Sequence, residues 1–104
     1  MRVYNRKKIT KEGTLENNWD WHFEFDYKDF DKDGREISSG SEELTIEQAR
    51  QLKTYEVRAF DGRTDRAGHK MTEVIGMFRI HENEKPGNAA RFLYGDKVAR
   101  VIRI

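Results

Sequence analysis

Nine consecutive residues constrain this chain most: Trp19-Asp20-Trp21-His22-Phe23-Glu24-Phe25-Asp26-Tyr27. Every odd position is aromatic and every even position polar. A strand sends alternate side chains to opposite faces, so the stretch reads as a half-buried strand with an aromatic inner face. Its outer face shows Asp20, His22, Glu24, Asp26 and then Lys28. Trp19 and Trp21 share the phase of Phe23 and Phe25, so core packing explains them better than a role as binding anchors.

Other elements follow from local chemistry. Asp33-Gly34 lies between strand-like runs and signals a hairpin. A type I turn with Gly34 as a left-handed bulge residue sets Arg35 across from Asp31. It also sets Ile37 across from Asp29, on the aromatic face. Ser38-Ser39-Gly40-Ser41 ends that hairpin. Thr45 with Gln48 fits a capping box, and the residues that follow predict one helix over about 46–60, closed by Gly62. A competing reading ends that helix near Lys53 and makes Tyr55 to Phe60 a strand. Residues 61–70 read as a polar loop and Met71 to Glu82 as a strand. Gly76 within it marks a bulge or a close backbone approach. Asn83 to Ala89 reads as a loop. Arg91 to Tyr94 and Lys97 to Arg103 read as a hairpin about Gly95-Asp96. Val3 to Ile9 adds an edge strand, where its lysines discourage aggregation.

The sum is an α+β fold, an antiparallel sheet of about five or six strands with one helix packed on one face. Its 104 residues suit one domain spanning 1–104. The chain has no cysteine, which excludes a disulfide scaffold, a thiolate zinc site and a cysteine nucleophile. No run of ~18 apolar residues exists to span a membrane. The basic start lacks the apolar region of a signal peptide. A cytoplasmic location is the expectation.

Net charge is +1, from 20 basic and 19 acidic residues, but the balance is uneven along the chain. Residues 1–12 hold five basic and one acidic, whereas residues 13–48 hold three basic and eleven acidic. Residues 49–81 hold seven and four, and residues 82–104 five and three. The acidic block coincides with the aromatic strand and its hairpin. Asp20, Glu24, Asp26, Asp31 and Glu36, with Asp33, form a candidate ribbon for docking onto a basic surface of a larger protein. Arg63, Arg66, Lys70, Arg100 and Arg103, with Phe92 and Tyr94 interleaved, form a candidate nucleic-acid surface.

Motifs for chemistry are lacking. Asp29, Asp31, Asp33 and Gly34 copy the first half of a calcium loop, but Glu36 replaces its apolar position and Gly40 its bidentate carboxylate. His22, His69 and His81 lack helical zinc spacing, and no serine sits in a nucleophile elbow. No metal or cofactor is expected. The expectation is a small non-enzymatic interaction protein, an inhibitor or regulator of the phage-accessory type, with a basic-surfaced protein as partner. A nucleic-acid-binding module using loop 61–70 and the C-terminal hairpin is the first alternative. A structural subunit of a homo-oligomer or virion is the second.

Overall fold

A computed structural model describes residues 1–13 and 20–104. Trp19, the first residue of the alternating stretch, lies outside them. The elements are β1 (Arg2–Lys11), β2 (His22–Phe30), β3 (Glu36–Thr45), α1 (Ile46–Arg50), β4 (Leu52–Thr64), β5 (Lys70–His81), α2 (Pro86–Tyr94) and β6 (Arg100–Arg103), with a 3-10 turn at Gly95–Lys97 before the last strand. The strands form one antiparallel sheet in the order β3-β2-β1-β5-β4-β6. The fold is α+β with strands dominant.

The sheet is two three-stranded ribbons, β3-β2-β1 and β5-β4-β6, joined by little. Among the described residues β1 and β5 share a single register pair, Tyr4 with Arg79. β1 is therefore a central strand and not the edge strand its lysines suggest. Each ribbon has its own core, on opposite faces. Phe23, Phe25 and Leu44 are buried in the first, packed by Tyr4, Trp21 and Leu52 and by Ile46 and Ala49 of α1. Val57, Phe78 and Ile80 are buried in the second beneath Ala89 and Ala90 of α2, and Val3 and Phe30 from the first ribbon reach into it. Phe30 belongs to the phase of Glu24 and Asp26, so this face of β2 is polar only until α2 covers it.

The capping box forms as expected: Thr45 Oγ1 accepts from the Gln48 amide and the Gln48 side chain accepts from the Thr45 amide. The helix over 46–60 does not. It stops at Arg50 after five residues, and Leu52 to Thr64 is strand, so the competing reading holds. As a strand, this segment buries Val57 completely and pairs with β5 from Leu52/His81 to Thr64/Lys70. Long-range burial outweighs a helix propensity that differs by tenths of a kcal/mol per residue, about 0–0.7.

The C-terminal hairpin about Gly95-Asp96 is also replaced. Residues 86–94 are helix α2, with Pro86 in its first turn and Gly95 at φ +62° as its cap. Proline is tolerated there because its missing N–H would have no helical partner. Pro86-Gly87, within the segment read as a loop, is a helix start. Phe92 and Tyr94 consequently face the sheet and do not form a stacking surface. Phe92 packs on Phe30 with ring centroids 5.8 Å apart. A Cβ on Gly76 would lie 1.8 Å from the Tyr94 hydroxyl, so Gly76 marks both the close approach and a register shift opposite Val57/Arg58.

At the β2–β3 turn, Gly34 has φ +85° and the Asp31 amide donates to the Arg35 carbonyl at 2.9 Å, as expected. Ile37 departs from expectation. Phe30 pairs with Glu36 and Asp29 with Ser38, so Ile37 is the extra residue of a bulge and stands 65% exposed.

Candidate functional site

Charge is the first feature to place. The basic block of residues 1–12 becomes β1, which lies against acidic β2. Arg2 grips Asp29 through Nε (2.8 Å) and Nη2 (2.9 Å), and reaches Glu42 on β3 through Nη1 at 2.9 Å. The Tyr4 hydroxyl donates to the same Glu42 oxygen at 2.8 Å, and the Arg2 guanidinium stacks 3.8 Å over the Tyr27 ring. Lys8 stands across from Glu24, and Lys11 lies 3.9 Å from Asp20. Charges separated along the sequence thus meet as neighbouring strands, and β1 answers much of the acidic ribbon from within the chain.

This network has electrostatic consequences. The Arg2 hydrogen bonds hold the Asp29 carboxyl down at about 2, and the bond from Ser38 adds to this against the opposing effect of burial. Burial, then the bond to Glu42, pushes the Tyr4 phenol up to about 12. The Arg2 guanidinium is raised chiefly by Asp29. Each shift favours the protonation state that the network already holds.

Of the five acidic candidates, Glu24, Asp26 and Glu36 share one face of the β2–β3 hairpin, Glu36 through its pairing with Phe30, while Asp31 sits in the turn and Asp20 ahead of β2. Glu24 and Asp26 point to the α2 side of β2, where Asp26 accepts from the Ser41 hydroxyl at 2.9 Å. Asp31 closes the turn, its Oδ1 accepting from the Asp33 and Arg35 amides. Glu36 lies 4.0 Å from Lys28, and Asp20 lies at the start of the strand beside Lys11. Two carboxylates of the calcium-like run are likewise occupied, Asp29 by Arg2 and Ser38 and Asp31 by turn amides.

The five basic candidates fall into two groups. Arg63, Arg66 and Lys70 lie at the tip of the β4–β5 hairpin, where Arg63 Nε donates to Asp61 at 2.9 Å and Lys70 stands over the Phe60 ring. Arg100 and Arg103 lie on β6, across from Arg58 and Tyr55. From Arg58 to Arg63 the strand advances about 16 Å at about 3.3 Å per residue, so the two groups do not converge. His22 Nδ1 contacts Glu43 at 2.8 Å, and His81 Nε2 contacts Gln51 at 3.1 Å.

What the structure brings together is a cleft that sequence reasoning missed. On the α2 side, over β1, β2 and β3 and bounded by Phe78 of β5 and by α2, lies a half-open cavity of about 620 Å³. Val3, Phe78, Leu93 and Tyr94 supply its apolar part, and Asn5, Arg6, Asp26, Lys28, Ser39 and Ser41 its polar part. Burial raises the Tyr94 phenol. Volume and lining match a ligand or peptide site. No motif announces it, because its walls come from five elements scattered along the chain. One signal was legible: polar side chains at Asp26 and Lys28 share their strand face with Phe30, a face half covered.

Compared with protein-family models, curated proteins and solved structures, the chain matches none of them. Among the described residues no helix is long and apolar enough to cross a membrane, and no group of three His, Cys, Asp or Glu side chains is arranged to hold a metal ion.

Proposed function

We propose that this chain is a non-enzymatic interaction module that receives an extended segment of a partner protein in the cleft on the α2 side of its sheet. The observation that carries the reading is the parting of β1 from β5 after Tyr4/Arg79. It leaves a strand edge beside an apolar floor with polar groups around it, the combination by which strand-adding domains recognise extended peptides. The carboxylates that β1 does engage, Asp29 and Glu42 through Arg2 and Asp20 through Lys11, leave the acidic hairpin less charge to offer a partner, which favours this cleft as the docking surface. The separation of the two basic groups favours it over a nucleic-acid surface.

Two bulky substitutions test the choice. The immobilised chain, treated with nuclease, is expected to retain a protein partner from its host. Ser39→Trp, at the exposed rim of the cleft, should abolish retention, while Arg66→Trp, at the far hairpin tip, should leave it intact. Retention that survives Ser39→Trp and is lost with Arg66→Trp overturns the cleft and returns the basic tip to first place.

A further inference from the structure

Arg6 adopts φ +35° and is the described residue other than glycine with a positive φ. It is the extra residue of a bulge between Asn5 and Lys7, and its amide is held by the Asn5 side-chain oxygen at 2.9 Å. Glycine adopts such a conformation at no steric cost, whereas a side-chain-bearing residue is strained in it. A bulge also re-aims its residue relative to the pleat. The guanidinium so placed lines the cleft.

The other charged groups lining the cleft have partners. Asp26 accepts from Ser41, and Lys28 lies 4.0 Å from Glu36. Among the described residues Arg6 has no ion pair. Lys7, next on β1, also has none and stands 4.3 Å over the Phe23 ring. From Asn5 to Lys11 the strand carries Arg6, Lys7, Lys8 and Lys11 and no acidic residue. Over that stretch no described strand pairs with its second edge, because the β1–β5 register ends at Tyr4.

Building on the cleft reading above, we propose that the segment it receives is an acidic strand: it adds to the open edge of β1, and Arg6 binds one of its carboxylate side chains. Main-chain hydrogen bonds to every second residue of β1 supply affinity, and the cleft supplies selection. Apolar residues of the segment lie over Leu93 and Tyr94, the part-exposed apolar residues of the lining. An acidic residue of the segment that comes to the rim beside Arg6 pairs there, carboxylate with guanidinium, in a forked, charge-assisted contact. A backbone strained at this one position is the local cost of aiming that cation.

The test uses the full chain and three labelled octapeptides: one alternating Val and Glu, its Val and Gln counterpart, and the Val and Glu peptide N-methylated at alternate residues. The Val and Glu peptide should bind saturably below millimolar concentration, shift the amide signals of Lys7 to Lys11 and Leu93, and weaken as salt rises. The Gln peptide and the Arg6→Gly variant should each cost about tenfold in affinity. N-methylation should abolish binding. Arg6→Gly should also keep the melting temperature at or above that of the parent, because glycine relieves the strained φ. Equal binding of the Gln peptide, tolerance of N-methylation, unchanged affinity of Arg6→Gly, or a lower melting temperature in that variant overturns the acidic-strand proposal. If the Gln peptide still shifts Phe78, Leu93 and Tyr94, the cleft reading survives without it. If no peptide binds at millimolar concentration, or the shifts fall on β6, both fail.

Discussion

The two hairpin tips, Asp31 to Arg35 and Asp65 to His69, are built to one plan. In each, the leading Asp amide donates to the carbonyl four residues on, at 2.9 and 2.8 Å, and the Gly amide donates back to the Asp carbonyl at 3.1 Å. In each, the Asp Oδ1 accepts from the amides two and four residues on. The glycines match as well, with φ +85° at Gly34 and +84° at Gly68. Their surroundings differ. A Cβ on Gly34 would lie 2.6 Å from Phe92 Cδ1, whereas one on Gly68 would meet nothing within 4 Å. The same turn is thus docked under α2 at one end of the molecule and projects into solvent at the other. Local sequence decides the turn, and tertiary contact decides what it is worth.

The sharpest test of that contrast is to add one methyl group at each glycine. Gly34→Ala meets both the unfavourable φ and the Phe92 ring, so it should cost about 2–4 kcal/mol, the sum of left-handed strain and overpacking. Gly68→Ala meets the φ alone and should cost about 1–2 kcal/mol. Urea midpoints at constant slope measure both. Equal costs would mean that Phe92 yields freely and that the docking of α2 on the first tip contributes nothing. Shortening Phe92 to Leu in the Gly34→Ala background should recover part of the loss, and a cycle that is simply additive would break the explanation.

The next effect lies at the root of the first hairpin, where Arg2 joins Asp29 to Glu42. Its counterpart in the second ribbon is Arg58, which reaches Thr72 Oγ1 at 2.9 Å, the Thr72 carbonyl at 3.0 Å and Glu56 at 3.1 Å. Arg2→Met removes a partner from two carboxylates and should cost about 1.5–3 kcal/mol. The same network gives stability a pH dependence. The folded Asp29 carboxyl lies near 2, below the ordinary 3.8. Its contribution is therefore complete above about pH 4 and is lost as pH falls from there toward 2. The Tyr4 phenol is raised to about 12 from 10.0. Its contribution is complete below pH 10 and is lost as pH rises toward 12. Denaturant titrations of parent and Arg2→Met should show the acid limb flattened in the variant. An unchanged acid limb would remove Arg2 as its cause.

Legibility followed the range of the interactions. The aromatic alternation, the Gly34 turn and the capping box rest on neighbours in sequence, and the structure places each where the residues point; the close approach at Gly76 is to Tyr94 of α2, and only the missing side chain was legible. The helix over 46–60 failed because Val57 is buried by β5 and α2, elements the chain has not yet reached at that point. Pro86-Gly87 misled because the same dipeptide serves a turn and a helix start, and only the burial of Ala89 and Ala90 decides between them. The charge map was correct as a count but carried no sign of which charges meet. Arg2 and Asp29 are 27 residues apart in sequence and 2.8 Å apart in space. Arg6 could not be found from sequence at all, since an arginine in a basic run gives no sign of its φ.

The smallest effect concerns Ile37 and returns to the two tips. If the Phe30/Glu36 register set by the turn ran on along the β2–β3 hairpin, Ile37 would sit on the aromatic face across from Asp29. Replacing it by Thr would then bury a hydroxyl among apolar rings and cost about 1–3 kcal/mol. In the structure the register shifts between Asp29 and Phe30, and Ile37 turns to solvent at 65% exposure. Ile37→Thr should therefore change stability by less than about 0.5 kcal/mol, the range for an exposed side chain with a β-branched replacement. The second hairpin supplies the control. Its register also shifts, between Phe60 and Thr64, and Phe60 is 58% exposed there with Lys70 over its ring. Phe60→Thr should lose only that ring contact, about 0.5–1 kcal/mol at an exposed site. If Ile37→Thr proves the costlier of the two, the bulge is misplaced and the first hairpin runs on in the register of its turn.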